Sequence, residues 1–199
     1  MPKKIFVTGG AGFIGSAFVR LALERDPDVA VINFDALTYA GNPKNLEGIG
    51  AARHTFVKGD ICDRKAVLEA LPSGTDVIFN FAAESHVDRS IHSADEFLRT
   101  NIIGTQVLLD AAREKGVRRF VQVSTDEVMG TLPEESDAFF TEDTPLQPNS
   151  PYAASKAAAE FVTRAARETH GVDAVITRCG NNYGPRQFPE KLIPLAIAN

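Results

Sequence analysis

Short runs of apolar residues alternate along this chain with longer stretches whose apolar positions recur every three or four residues. Ile5-Phe6-Val7 has no polar interruption, the pattern of a strand buried on both faces. Residues 13–24 carry helical spacing. A second strand is predicted over 29–34, ending at Asp35, and a third, weaker one over 54–57. A helix over 63–71 and a fourth strand over 77–81 follow. Residues 93–115 read as one long helix closed by Gly116, because glycine enters the left-handed backbone of a helix stop at little cost. The fifth strand is expected over 117–123. Residues 151–170 form another long helix, with Pro151 in its first turn and Gly171 at its end, before a sixth strand over 172–176.

Apolar strands each followed by a crossover helix describe a parallel sheet covered on both faces. Right-handed crossovers then make the expected fold class α/β, a doubly wound parallel sheet of the Rossmann type. Two long loops, 36–53 and 130–150, interrupt the alternation, and loops of that length in a compact domain usually carry function. No linker or repeat divides the 199 residues, so one domain is expected over 1–199.

The first strand runs into Thr8-Gly9-Gly10-Ala11-Gly12-Phe13-Ile14-Gly15 at the start of a helix. Gly10, Gly12 and Gly15 fit GxGxxG; Gly9, Gly12 and Gly15 fit a GxxGxxG variant. Such glycines allow a tight turn and a close backbone approach to a pyrophosphate, which backbone N–H groups and the positive helix end stabilise. A glycine-rich turn alone is also common for structural reasons. Here Asp35 ends the next strand 20 residues after Gly15, where a ribose-binding carboxylate is expected, and its charge disfavours a 2′-phosphate. The expected cofactor is NAD. Asp60 and Ile61, beyond the third strand, are placed to hold its adenine.

Tyr152 and Lys156 stand four apart on a predicted helix and share a face. An ammonium beside a phenol lowers the phenol's pKa, which suits proton removal from a sugar hydroxyl. Thr125, ending the fifth strand, is placed to bond the same hydroxyl. The next residues, Asp126 and Glu127, put two carboxyl groups at the edge of the sheet where such folds bind ligands. Elimination of water needs both an acid and a base; epimerisation and simple reduction need no such pair.

A net charge of −5 argues against affinity for nucleic acid or anionic membranes. The N-terminal MPKKIFVTGG has neither a signal-peptide pattern nor the apolar length of a span, so the cytoplasm is expected. Cys62 and Cys179 are isolated and fit two reduced thiols. His86 and His92 lack a metal-ligand spacing, and no metal is expected.

The chain resembles the dTDP-glucose 4,6-dehydratase family of extended short-chain dehydrogenases/reductases. Ser124-Thr125-Asp126-Glu127-Val128, Leu37-Thr38-Tyr39-Ala40-Gly41-Asn42, Ala82-Ala83-Glu84-Ser85-His86-Val87-Asp88-Arg89-Ser90, Asn181-Asn182-Tyr183-Gly184-Pro185 and Phe188-Pro189-Glu190-Lys191-Leu192-Ile193-Pro194 carry the likeness, in order along the whole chain. The resemblance implies that Asp126 is the general acid, Glu127 the general base and Tyr152 the base for oxidation at C4, assisted by Lys156 and Thr125. It implies an NAD site of Gly9, Gly12, Phe13, Ile14, Gly15, Asp35, Ala36, Leu37, Thr38, Asp60, Ile61, Phe81, Ala82, Ala83, Ser85, Thr100, Tyr152, Lys156 and Asn182. Ser85, Thr125, Asn181, Lys191 and Leu192 would touch a sugar nucleotide, dTDP-glucose. The reaction implied is C4 oxidation, loss of water across C5 and C6, and reduction at C6. A homodimer through the two long helices is implied as well.

This chain has Met129 where the family usually has Tyr, and Ala36 where it usually has Lys. Relatives continue beyond Asn199 into a lobe that grips the nucleotide, so a truncated chain is expected. The alternatives are another nucleotide-sugar dehydratase or 4-epimerase, or an inert NAD-binding fragment.

Overall fold

The computed structural model describes residues 3–133 and 137–199; part of the second long loop, 134–136, lies outside the described residues. Six parallel strands, β1 (Lys4–Thr8), β2 (Ala30–Asp35), β3 (His54–Lys58), β4 (Val77–Asn80), β5 (Arg119–Thr125) and β6 (Ala174–Cys179), make one sheet in the spatial order β3-β2-β1-β4-β5-β6. The chain builds outward from β1 in one direction and then from β4 in the other. A crevice therefore opens at the carboxyl ends of β1 and β4, the switch point where doubly wound sheets take ligands. The helices are α1 (Phe13–Arg25), α2 (Arg64–Ala70), α3 (Val87–His92), α4 (Asp95–Phe97), α5 (Thr105–Lys115), α6 (Pro151–His170) and α7 (Leu192–Ala198).

Alternate side chains of β1 feed opposite layers, as the period of a strand requires. Phe6 joins Phe34, Ile78, Leu108, Leu109 and Phe120 on one face. Ile5 and Val7 join Val19, Val31 and Val29 on the other. β3 is an edge strand with no fully buried residue, and half-exposure is why its apolar signal is weak.

The central strands are not apolar throughout, as the sequence pattern suggests. Thr8, Asn80 and Gln122 occupy one transverse row across β1, β4 and β5. Thr8 Oγ1 donates to Asn80 Oδ1 at 2.6 Å, and Asn80 Nδ2 donates to Gln122 Oε1 at 2.8 Å. All three are buried, and the row holds because each polar group finds a partner. It anchors Thr8, the residue on which the glycine turn begins.

Strand starts differ from expectation at β5 and β6 for one reason. Gly116 and Gly171 end α5 and α6 in the left-handed conformation (φ 66° and 69°), and the following valines complete the stops. Val117 N–H donates to Ala112 O and Val172 N–H to Ala166 O. Both valines thus belong to helix stops and not to strands.

The single helix expected over 93–115 is a composite. α4 passes through a π-type stretch, Leu98–Gly104, into α5. α3 precedes it, and α7 lies near the chain end; neither was anticipated. Within the π stretch Gly104 leaves no room for a side chain, since a Cβ there would sit 2.5 Å from Ile61. Among the described residues no helix is long and apolar enough to cross a membrane.

Candidate active site

The glycine turn is shaped by backbone contacts. Gly9 has φ +67°, and a Cβ on it would lie 2.6 Å from Ala82 N, so glycine is required twice over. A Cβ on Gly15 would lie 2.2 Å from the Gly9 carbonyl oxygen. The demand at Gly10 has another source: its Cβ would meet the buried Asn33 Oδ1 at 2.2 Å. Gly12 caps α1 without a side-chain acceptor, leaving first-turn N–H groups available to an anion.

Asp35 is buried at the end of β2. Its Oδ2 accepts from Ala11 N–H at 2.8 Å and its Oδ1 from Leu37 N–H at 2.7 Å. Burial raises its pKa, and these two bonds oppose the rise. Asp35 therefore straps the glycine turn to the loop after β2, where Leu37 takes a positive φ of 56°. Asp60 Oδ1 accepts from Cys62 N–H at 2.8 Å. Ile61 is buried against Gly104 and still faces the crevice.

Tyr152 and Lys156 project from α6, whose entry is set by Ser150 accepting from Ala153 N–H and by Pro151 in the first turn. Burial, then the negative charge of Glu127, hold the Tyr152 hydroxyl pKa well above the ordinary phenol value, and Thr125 opposes the rise. That departs from the expected depression. Lys156 Nζ donates to the Val123 carbonyl at 2.5 Å, and burial brings its pKa down to about 8. The ammonium is thus committed to β5, and spacing on a helix face does not reveal such a partner. Thr125 Oγ1 also donates to Asp126 Oδ1 at 3.2 Å and accepts from Glu127 N–H at 3.2 Å. Burial raises the Glu127 pKa, the Lys191 ammonium opposes the rise, and Asp126 adds to it.

Every residue named for the site in the sequence, apart from Gly10, Leu37 and Asp126, lines one cleft of about 600 Å³ at the carboxyl ends of the strands. Leu37 packs against the apolar layer of β1 and α1. The Asp126 carboxylate stands beside Gly180 at the rim, where a Cβ on that glycine would be 3.5 Å away. Met129 is buried with Val128 and Ala157 and does not line the cleft, whereas Ala36 does. His86 caps α3 through Nδ1, and His92 is exposed.

Several residues of the site escaped sequence reasoning. Ser124 and Cys179 line the cleft, and Ser124 Oγ is buried without a hydrogen-bond partner among the described residues. Glu190 lines it too, and its Oε2 has no hydrogen-bond partner among the described residues. Asn101, inside the π stretch, accepts from Glu84 N–H and donates to Glu84 O and to Ser155 Oγ. It fastens the loop after β4 to α6. An asparagine amid apolar helical residues was the one available signal for it.

A cleft at the switch point, flanked by a glycine turn and by a tyrosine and lysine on one helix, defines a dinucleotide-binding domain of the extended short-chain dehydrogenase/reductase type. The chain belongs to the GDP-mannose 4,6 dehydratase family, whose model matches residues 6–199. It is 55% identical over 200 residues to a dTDP-glucose 4,6-dehydratase of Streptomyces griseus, covering 99% of this chain and 60% of that protein. It is 56% identical over 194 residues to the low-salt glycan biosynthesis protein Agl12 of Haloferax volcanii, covering 97% of this chain and 61% of that one. The crystal structure of DesIV, a dTDP-glucose 4,6-dehydratase of Streptomyces venezuelae with NAD bound, superposes with a TM-score of 0.92 at 55% identity, covering 98% of this chain and 61% of that one. The chain spans about 60% of the length of the curated relatives it matches.

Proposed function

We propose that this chain carries the NAD site and the reacting groups of a dTDP-glucose 4,6-dehydratase, a hydro-lyase. The observation that carries the reading is a carboxylate, Glu127, facing the same cleft as the hydroxyls of Tyr152 and Thr125. The dinucleotide fits the residues present: glycines that admit only backbone at the turn, open N–H groups at α1, and Asp35 oxygens with acceptor capacity left for a ribose. The chemistry a bound NAD supplies is hydride acceptance from C4 of the hexose and its return at C6.

Tyr152 takes the proton from the C4 hydroxyl, which Thr125 orients. For that, positive charge must approach the phenol, and the Lys156 ammonium, four residues along the same helix, supplies it by turning from the Val123 carbonyl. A ketone at C4 acidifies C5–H, which is why oxidation precedes elimination. Glu127 removes that proton; burial strengthens it as a base, and the Lys191 ammonium opposes the rise in its pKa. Asp126, whose carboxylate stands beside Gly180 of the cleft lining, protonates the departing C6 hydroxyl.

Incubation of the 199-residue chain with NAD and dTDP-glucose, followed by NMR of the sugar nucleotide, tests the reading. A 4-keto-6-deoxy product is expected, and E127Q should reduce its rate by about 10²–10⁴, the usual contribution of a positioned base. NAD binding without product from any sugar nucleotide would favour an inert NAD-binding fragment. Because the matching family is described by GDP-mannose, GDP-mannose and UDP-glucose are parallel substrates in this assay.

Homodimerisation is part of the proposal. Leu98 and Ile103 of the π stretch and Phe161 of α6 expose apolar side chains on adjoining helices, 45%, 56% and 56% accessible. Light scattering should give the mass of two chains, and F161E that of one. Free Cys62 and Cys179 suit a reducing compartment, and we place the protein in the cytoplasm.

A further inference from the structure

Three segments far apart in sequence meet at the rim of the cleft: the loop after β2, the loop after β4, and the segment leading into α7. Tyr39 stands where they meet. Its hydroxyl lies 3.3 Å from Glu190 Oε1, to which it donates, and 3.4 Å from Ser85 Oγ. The Arg89 guanidinium covers one face of its ring at 4.2 Å, and Phe188 meets the ring edge-on at 5.6 Å. Burial pushes the Tyr39 hydroxyl up to about 12, so it remains a proton donor across the physiological range.

The two ends of this contact differ in anchorage. On the Tyr39 side, Asp35 holds Leu37 N–H, Gly41 N–H donates to Thr38 O, and Asn42 N–H returns to Ala11 O. That loop is therefore tied to the glycine turn. On the other side, none of the side chains of α7 is buried. Glu190 Oε2 has no hydrogen-bond partner among the described residues and lies 3.7 Å from His86 Nε2. Next to it, Lys191 Nζ donates to the Ser85 carbonyl at 3.4 Å. The Tyr39–Glu190 bond is thus a principal polar tie between a firmly held loop and a weakly held segment.

We propose that Tyr39 is a positioning residue: its hydroxyl latches the Phe188–Lys191 segment, through Glu190, onto the loop that Asp35 ties to the dinucleotide turn. The latch holds the Lys191 ammonium at the cleft, on the side of Glu127. Occupation of the dinucleotide site rigidifies the loop after β2 and, through Tyr39, the segment that faces the sugar nucleotide. This coupling rests on the NAD reading above and deepens it, since it makes the cofactor an organiser of the second substrate's subsite.

Amide hydrogen exchange read by mass spectrometry tests it on the 199-residue chain, free and with NAD, for wild type, Y39F, E190A and E190Q. Y39F keeps the ring against Arg89 and Phe188 and removes only the hydroxyl. Calorimetric titration first establishes saturation; no binding heat with NAD overturns both the latch and the cofactor reading. With NAD bound, exchange over residues 188–193 of wild type should slow about tenfold, the scale of one hydrogen bond to a charged acceptor. E190Q should retain this protection, because a carboxamide oxygen still accepts from Tyr39. Y39F and E190A should lose it while NAD affinity stays within about twofold, which a residue acting only on fold stability would not separate. Protection that persists in Y39F, or that is missing from NAD-saturated wild type, overturns the latch and leaves the cofactor reading standing.

Discussion

Replacing Lys156 by methionine should raise the melting temperature at pH 7 while weakening NAD binding and abolishing turnover. Lys156 is buried, and its pKa falls from 10.5 to about 8 because burial penalises the ammonium. At about 1.4 kcal/mol per unit, holding that charge at neutral pH costs on the order of 3 kcal/mol. Methionine has similar length and no charge. It loses the bond to the Val123 carbonyl, which returns about 1–2 kcal/mol of the gain. The net gain of about 1–2 kcal/mol corresponds to roughly 2–8 °C in a chain of this size. The sign with pH follows from proton binding. Between about 8 and 10.5 the unfolded chain binds the Lys156 proton and the folded one does not, so wild-type stability from this group rises with pH. Below about 8 the full penalty is present. Differential scanning fluorimetry at pH 7 and near pH 9.5 should find the gap between K156M and wild type narrowing at the higher pH. A lower melting temperature for K156M at pH 7 would show that the ammonium stabilises the fold.

Gly15→Ala should remove NAD binding and destabilise the fold. The added Cβ would lie 2.2 Å from Gly9 O and 2.9 Å from Gly10 Cα. Both are backbone atoms, and Gly9 is itself wedged against Ala82. No flexible side chain can yield, so α1 must move off the turn, at about 1–3 kcal/mol or more. Titration should register at least about a hundredfold loss of NAD affinity, since phosphate positioning depends on the first turn of that helix. Gly116→Ala separates strain from site damage. Gly116 has φ +66° with nothing within 4 Å of an added Cβ. It should lower the stability by about 1 kcal/mol through strain and leave NAD affinity unchanged. Equal affinity losses in both variants would mean that NAD binding follows global stability and not the turn.

Most strands and helices were legible because their signals are local. The glycine turn, Asp35 and the Tyr152–Lys156 pair fall at spacings set by a strand, a tight turn and a helix, and each lies on the predicted element. Ser150, Pro151 and Gly171 bound α6 as their backbone preferences dictate. Where apolar pattern alone was read, errors followed. Val117 and Val172 looked like strand starts but pack into helix stops, and the π stretch broke a helix that periodicity drew as one piece.

The order of elements, the parallel sheet and the placement of one cleft at its carboxyl edge follow from periods, caps and glycines in the chain, because those act between near neighbours. Partnerships across long separations left no such imprint. Thr8 and Asn80 are 72 positions apart, Asn101 and Ser155 are 54, and Tyr39 and Glu190 are 151. Their meeting depends on register and crossover, as does the burial that holds Tyr152 protonated and turns Lys156 toward Val123. Residue types could nominate the reacting groups. Their proton affinities belong to the folded molecule, since desolvation and neighbouring charge exist only once the layers have closed.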